Sequence, residues 1–327
     1  MPYPDTDNST PAALTLGAVR EAAARIATYV RVTPVLYETS LNERTGAQLE
    51  FKAEHLQRGG AFKLRGACNA LGSLDPASLE HGVITHSSGN HGLAVALAAA
   101  DYGVTAHIVV PEGAIRAKLA RIEAAGAVIH RCAPSLAARE AMVAELLGQT
   151  GAHLIHPYAD PAVIAGQGTV TLELLQQMPD IEALVVPVGG GGLAAGAAIV
   201  AAALRPGLKL YLAEPSGAAD TALSLQRGER VLDIQPETVC DGLRATLGAP
   251  NFKILHAYGA QALTVTDAET LQAMRLLWME LKQVIEPSSA TVLAAVLRYR
   301  EYFQARRVGL VLSGGNVDLD ALPFHLA

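Results

Sequence analysis

The chain has 327 residues, of which 50% are hydrophobic and 17% charged, and its formal net charge is −6. Such a composition buries a large core and excludes disorder, and without a basic run it argues against nucleic acid or an anionic membrane as partner. Cys68, Cys132 and Cys240 lack CxxC spacing, so a reducing cytoplasm is expected rather than a disulfide framework or a zinc site.

Residues 1–12 are polar and lack the basic and apolar blocks of a signal peptide. Apolar spacing predicts helices over 16–29, 93–100, 115–125, 135–149, 162–177, 193–204, 267–283 and 288–303. Short β-branched runs predict strands at 49–53, 82–84, 105–110, 127–131, 153–156, 183–188, 208–213 and 308–312. Asp267, followed by Thr270, reads as an N-cap. The uncharged window 186–204 contains Pro187 and five glycines, so it reads as a buried strand, loop and helix rather than a membrane span. Alternating strands and helices imply an α/β fold with parallel sheets and helices on both faces. The length suggests two domains.

Three loops carry chemistry. After the first strand, Gly59 and Gly60 bend the chain and Phe62-Lys63 opens a helix. A lysine short of water has a lowered pKa, and its neutral amine condenses with an aldehyde. The plain alternative is a solvated surface lysine. The second loop is Thr85-His86-Ser87-Ser88-Gly89-Asn90-His91-Gly92, between a strand and an alanine-rich helix. Hydroxyls and unpaired amides at a helix N-terminus favour an anion such as a small carboxylate. The plain alternative is a simple N-cap. The third is Gly189-Gly190-Gly191-Gly192, which lets backbone amides wrap a phosphate. Here a competitor stays open. Gly190-x-Gly192-x-x-Ala195 also matches a dinucleotide turn, with Glu214 placed to meet a ribose.

These loops occur in order with Thr33-Pro34, Ala165-Gly166-Gln167-Gly168-Thr169, Glu214-Pro215-Ser216, Glu286-Pro287-Ser288-Ser289-Ala290 and Ser313-Gly314-Gly315-Asn316-Val317-Asp318. Over nearly its whole length the chain resembles the fold-type II pyridoxal-phosphate enzymes (tryptophan synthase β-like), in the threonine/serine dehydratase and serine racemase family. The resemblance implies two parallel-type open sheets with helices on both faces. It also implies a small substrate-clamping domain, 82–158, inserted in a large cofactor-binding domain, 1–81 and 159–327. No C-terminal regulatory domain is expected beyond Asp318, and a homodimer is.

By the same resemblance Lys63 is catalytic, holding pyridoxal 5'-phosphate as a Schiff base and then serving as base. Phe62 flanks the ring, Asn90 reaches its 3-hydroxyl, Gly242 lies beside it, and Gly189, Gly190, Gly191, Gly192 and Leu193 hold the phosphate. Ser313 faces the pyridine nitrogen; an alcohol is too weak an acid to protonate it, which favours elimination over transamination. Ser87, Ser88, Asn90 and His91 bind the substrate carboxylate, and Ser88 is also the residue opposite Lys63 in racemases. Arg139 would meet a second carboxylate. Glu214, the Ala218 carbonyl and Asp220 resemble a site for Mg2+ (or Ca2+ or Mn2+), as oxygen-only ligands suit.

The chain departs from the family at Gly60-Ala61, where a hydroxyl residue is usual. Tyr158 replaces the asparagine of vertebrate-type serine racemases, and Ala245 replaces a common serine. These changes favour a lyase acting on L-serine, L-threonine or 3-hydroxyaspartate. The alternatives are a serine racemase, a nicotinamide-dependent (NAD) oxidoreductase and a catalytically silent ligand sensor.

Overall fold

A computed structural model describes residues 14–326 other than 115. The reading of residues 1–12, and Ile115 at the head of a predicted helix, lie outside it. Ten strands are present among the described residues: β1 Val35–Leu36, β2 Gln48–Lys52, β3 Val83–His86, β4 Ala106–Pro111, β5 Val128–Cys132, β6 His153–Leu154, β7 Ala183–Pro187, β8 Lys209–Pro215, β9 Gln261–Val265 and β10 Arg307–Val311. They form a six-stranded sheet, β1-β2-β10-β7-β8-β9, and a four-stranded sheet, β5-β4-β3-β6. Every pairing is parallel except β1 with β2. The parallel-type sheets expected from the strand–helix alternation are present, with the short β1 as an antiparallel addition. Its two residues are too few to show an alternating pattern.

Strand parity sorts the core. In β7, Val185 joins the cluster that includes Phe51, Leu293 and Leu310, while Leu184 and Val186 join the one with Val200 and Val311. Likewise Ile108 and Val110 of β4 face one cluster and Val109 the other. Successive side chains leave opposite faces of a strand, so both sheets are packed on both sides. That is why the central strands read as continuous apolar runs.

The window 186–204 is the end of β7, the glycine loop and the buried helix Gly192–Leu204. Among the described residues no helix is long and apolar enough to cross a membrane. The helix Asp267–Met279 is capped by Thr266, whose side chain accepts from the Glu269 amide in a capping box. Asp267 is therefore not the N-cap. Its carboxylate instead accepts from Thr238 Oγ1 at 2.6 Å and the Val239 amide at 2.9 Å. This helix stops short of the predicted 283, and Lys282 has a left-handed φ of 58°. All three cysteines are buried free thiols.

Candidate active site

The turn carrying Lys63 is tied down from three sides. The Phe62 amide donates to the Ser313 carbonyl at 3.0 Å, and Ala61 bridges Gly314, which fastens the turn to the end of β10. Lys63 is the first residue of the helix Lys63–Ser73. Its Nζ donates to the Pro157 carbonyl at 2.9 Å and sits 5.2 Å from the centre of the Phe62 ring. Burial lowers the amine pKa to about 8, so near-neutral solutions contain a usable neutral fraction. Two residues on, Arg65 anchors the helix. Its guanidinium holds both oxygens of Glu54 at 2.8 Å and Glu173 Oε2 at 3.0 Å. Both Arg65 and Glu54 are buried.

The glycine loop lies next to the segment after β6 that carries Pro157 and Tyr158. A side chain at Gly190 would meet the Tyr158 ring at 2.3 Å, and one at Gly189 would meet Leu243 Cα at 2.9 Å and Gly242 O at 3.2 Å. Tyr158 follows the proline that receives Lys63, so the amine and the glycine loop share one neighbour. The helix beginning at Gly192 has Gly191 as N-cap, with φ 88° and no side-chain cap. Its first amides therefore keep the polarity that attracts an anion. Leu193 is buried behind the loop. Asn251, fully buried, donates to Gly190 O at 2.6 Å and Tyr158 O at 2.9 Å. Nothing in its local sequence marked it.

Ser87, Ser88 and Gly89 are half-buried at the head of the helix Asn90–Tyr102, which also lacks a side-chain cap. Three histidines surround this loop, and burial is the main cause holding all of them neutral. His86 and His156 are pushed down to about 4, and His91 well below its ordinary value. The Lys63 charge contributes to the shifts of His91 and His156. His156 Nδ1 accepts from the Tyr158 and Ala159 amides at 3.3 and 3.0 Å, so its proton is on Nε2. His91 Nε2 meets the Ile155 carbonyl at 3.3 Å and must donate there. That leaves the buried Nδ1 as an acceptor without a partner. As an acceptor, that nitrogen suits a hydroxyl or an ammonium. Arg139, on the helix Leu136–Thr150, donates to Ser135 O at 3.5 Å. Its charge depresses the His86 pKa and reaches Tyr158.

Glu286 is the site residue that sequence reasoning left unassigned. It accepts from Asn90 Nδ2 at 2.9 Å and from the Asn316 amide at 3.1 Å. A side chain at Gly314 would stand 2.7 Å from its Oε1. Burial raises its pKa. Gly242 donates to Ser288 Oγ at 3.0 Å, beside Glu286. The signal was present: both Glu286 and Asn316 lie inside segments shared with the family.

Glu214, at the end of β8, and Asp220, the first residue of the helix Asp220–Arg227, are both buried. Glu214 accepts from the Thr221 and Ala222 amides at 2.8 and 2.9 Å, and Asp220 from the Leu247 amide at 2.7 Å. Burial pushes Glu214 up to about 8, aided by Asp220, and Asp220 up to about 6. Both Glu214 oxygens face a helix start inside the protein. This inward-facing arrangement lends no support to the dinucleotide reading, which needs that carboxylate on a ribose. Ala218 is also buried here, in a 3-10 turn. No group of three or more His, Cys, Asp or Glu side chains is arranged to hold a metal among the described residues.

Residues 26–314 match the family model described as pyridoxal-phosphate dependent enzyme. The chain is 45% identical to the serine racemase of Dictyostelium discoideum, over 95% of this chain and 97% of that one. It is 43% identical to the beta-hydroxyaspartate dehydratase of Paracoccus denitrificans, over 93% and 96%. The solved threonine deaminase of T.th. superposes with a TM-score of 0.89 at 41% identity, covering 93% of this chain and 99% of that one. The chain therefore belongs to the fold-type II pyridoxal-phosphate-dependent enzymes, in the family that holds serine racemases, beta-hydroxyaspartate dehydratases and threonine deaminases.

Proposed function

We propose that the chain is a lyase that removes water and then ammonia from a small 3-hydroxy amino acid, leaving a 2-oxo acid. The observation that carries this is the desolvated Lys63 amine, held on the Pro157 carbonyl beside an uncapped glycine helix start. Those features fit pyridoxal phosphate: an amine ready to condense, and bare amides for a phosphate in a loop with no room for side chains. When bound, the cofactor supplies the electron sink that acidifies the substrate Cα–H.

Lys63 is the catalytic base. Gly189, Gly190, Gly191, Gly192 and Leu193 would hold the phosphate, with Phe62 and Gly242 beside the ring and Asn90 at its 3-hydroxyl. Ser313 is buried, and its carbonyl accepts from the Phe62 amide; it would offer the pyridine nitrogen a neutral alcohol. That favours expulsion of a β-hydroxyl over transamination. Ser87, Ser88, Asn90 and the free amides of their helix take the substrate carboxylate. The partnerless His91 acceptor suits the substrate hydroxyl or ammonium.

Arg139, close enough to shift His86, brings 3-hydroxyaspartate into the substrate range alongside L-serine and L-threonine. Likeness to the Paracoccus dehydratase supports that choice. Glu214, the Ala218 carbonyl and Asp220 fit a divalent cation, Mg2+ first, because two buried carboxyls with raised pKa values gain from one. The segment 82–158 acts as the clamping domain, the assembly is a homodimer, and the buried thiols suit a reducing cytoplasm.

A second reading, serine racemization, is favoured by Ser88 on the carboxylate loop and by the Dictyostelium relative. One assay separates the two. The protein is incubated with L-serine, L-threonine and both threo- and erythro-3-hydroxyaspartate, and 2-oxo acid is measured against D-amino acid. Rapid 2-oxo acid release supports the lyase; D-amino acid as the main product overturns it.

A further inference from the structure

A hydrogen-bonded chain runs from the surface to the cofactor-facing asparagine. It starts at Arg121, exposed on the helix Arg116–Ala124. Its guanidinium donates to Asn316 Oδ1 and to the Gly59 carbonyl at 3.3 Å. Asn316 Nδ2 donates in turn to Asn90 Oδ1 at 2.8 Å and to Gly59 O at 2.7 Å. Asn90 Nδ2 donates to the Glu286 carboxylate at 2.9 and 3.2 Å. The order is cation, amide, amide, carboxylate, with every dipole pointing the same way.

Such a chain polarises each of its bonds, and its two ends are charge-assisted. The fit around Asn316 is close. A side chain at Gly60, whose φ is 76°, would stand 2.5 Å from Asn316 Oδ1. The bare backbone at Gly60 thus makes room for this carboxamide. The helix is tied down a second time by Lys118, which bonds Asp241 at 3.0 Å, next to Gly242.

We infer that Arg121 is a positioning residue for Asn90, acting through Asn316 and setting which way the Asn90 amide faces the cofactor. This rests on the proposed role of Asn90 at the cofactor 3-hydroxyl. Arg121 touches neither cofactor nor substrate and is exposed, so its removal tests the chain without emptying the core.

The test compares wild type with Arg121→Ala, Arg121→Lys, Asn316→Ala, Asn90→Ala and the Arg121→Ala/Asn316→Ala double variant. Three quantities are measured: the visible circular dichroism of bound cofactor, the cofactor dissociation constant of reconstituted protein, and the melting temperature of the apoprotein. The expected result for Arg121→Ala is altered dichroism and about fivefold weaker cofactor binding, as loss of one net hydrogen bond implies. Its apoprotein melts with wild type, Arg121→Lys recovers most of the binding, and the double variant is no weaker than Asn316→Ala. Wild-type dichroism and affinity in Arg121→Ala, with a changed Asn90→Ala, overturn the relay alone. An unchanged Asn90→Ala overturns the role of Asn90 and the relay with it.

Discussion

The Lys63 amine donates to the Pro157 carbonyl at 2.9 Å, and through Pro157 the strap that follows β6 is brought against the helix that follows β2. The contact joins residues 94 positions apart and leaves the amine with a backbone acceptor and little water. Charge on that amine is disfavoured by burial, which is why its pKa falls from 10.5 to about 8.

A pH dependence follows with a definite sign. Between pH 8 and 10.5 the unfolded chain binds a proton at Lys63 that the folded apoprotein does not, so apoprotein stability rises with pH across that window. Lys63→Met removes this rise. Thermal melts of both apoproteins from pH 7 to 10 check it; parallel curves would refute the shifted amine. The same variant should lose visible cofactor absorption, with turnover down at least about 1000-fold.

Glu214 and Asp220 predict the opposite slope. Their folded pKa values lie above 4.5 and 3.8, so the folded state holds extra protons until about pH 8 and 6. Without a cation, stability therefore falls as pH rises from about 4 to 8. Adding Mg2+ should raise the melting temperature, most strongly at the upper end of that range, and Glu214→Gln should abolish the Mg2+ effect and flatten the slope above about pH 6, leaving the Asp220 part below it. Calorimetry with and without chelator measures this.

Gly190→Ala should destabilise the protein by about 1–3 kcal/mol, because the new methyl lands on the Tyr158 ring. Cofactor affinity should fall as well, since the loop proposed to hold the phosphate must move. Adding Tyr158→Ala should relieve part of the stability loss. Denaturant unfolding of the single and double variants provides the comparison, and strictly additive losses would count against the contact.

The Arg65–Glu54 pair is buried, so removing one partner leaves a bare charge. Arg65→Leu should cost about 3–5 kcal/mol. Replacing both partners with apolar residues should cost less than the single change. Equilibrium unfolding of the two variants decides it.

Arg139→Ala should lower kcat/KM for 3-hydroxyaspartate about 10- to 100-fold and leave L-serine turnover near wild type. Equal losses on both substrates would mean that Arg139 meets no second carboxylate.

Local sequence made much of this legible. Runs such as 183–188 are apolar because β7 is buried on both faces, and four successive glycines after a strand have few purposes beyond a close approach to a ligand. The position of Lys63 after an aromatic residue and a glycine bend was equally plain. The errors were local as well. Asp267 looked like a cap because acids favour a helix start, yet Thr266 had the partner at Glu269 needed for a capping box. The strands β1 and β9 were passed over because their short patterns lie within the noise of loop sequence.

By itself, then, the order of residues determined the strand–helix alternation, the three loops proposed to meet ligands and the amine at position 63. All of these depend on side-chain period, backbone freedom and the chemistry of near neighbours. Tertiary structure alone decided that Pro157 receives Lys63, that Glu286 and Asn316 grip Asn90, and that Glu214 turns inward to a helix start. Those contacts join segments far apart in the chain, and their geometry exists only once the sheets have packed.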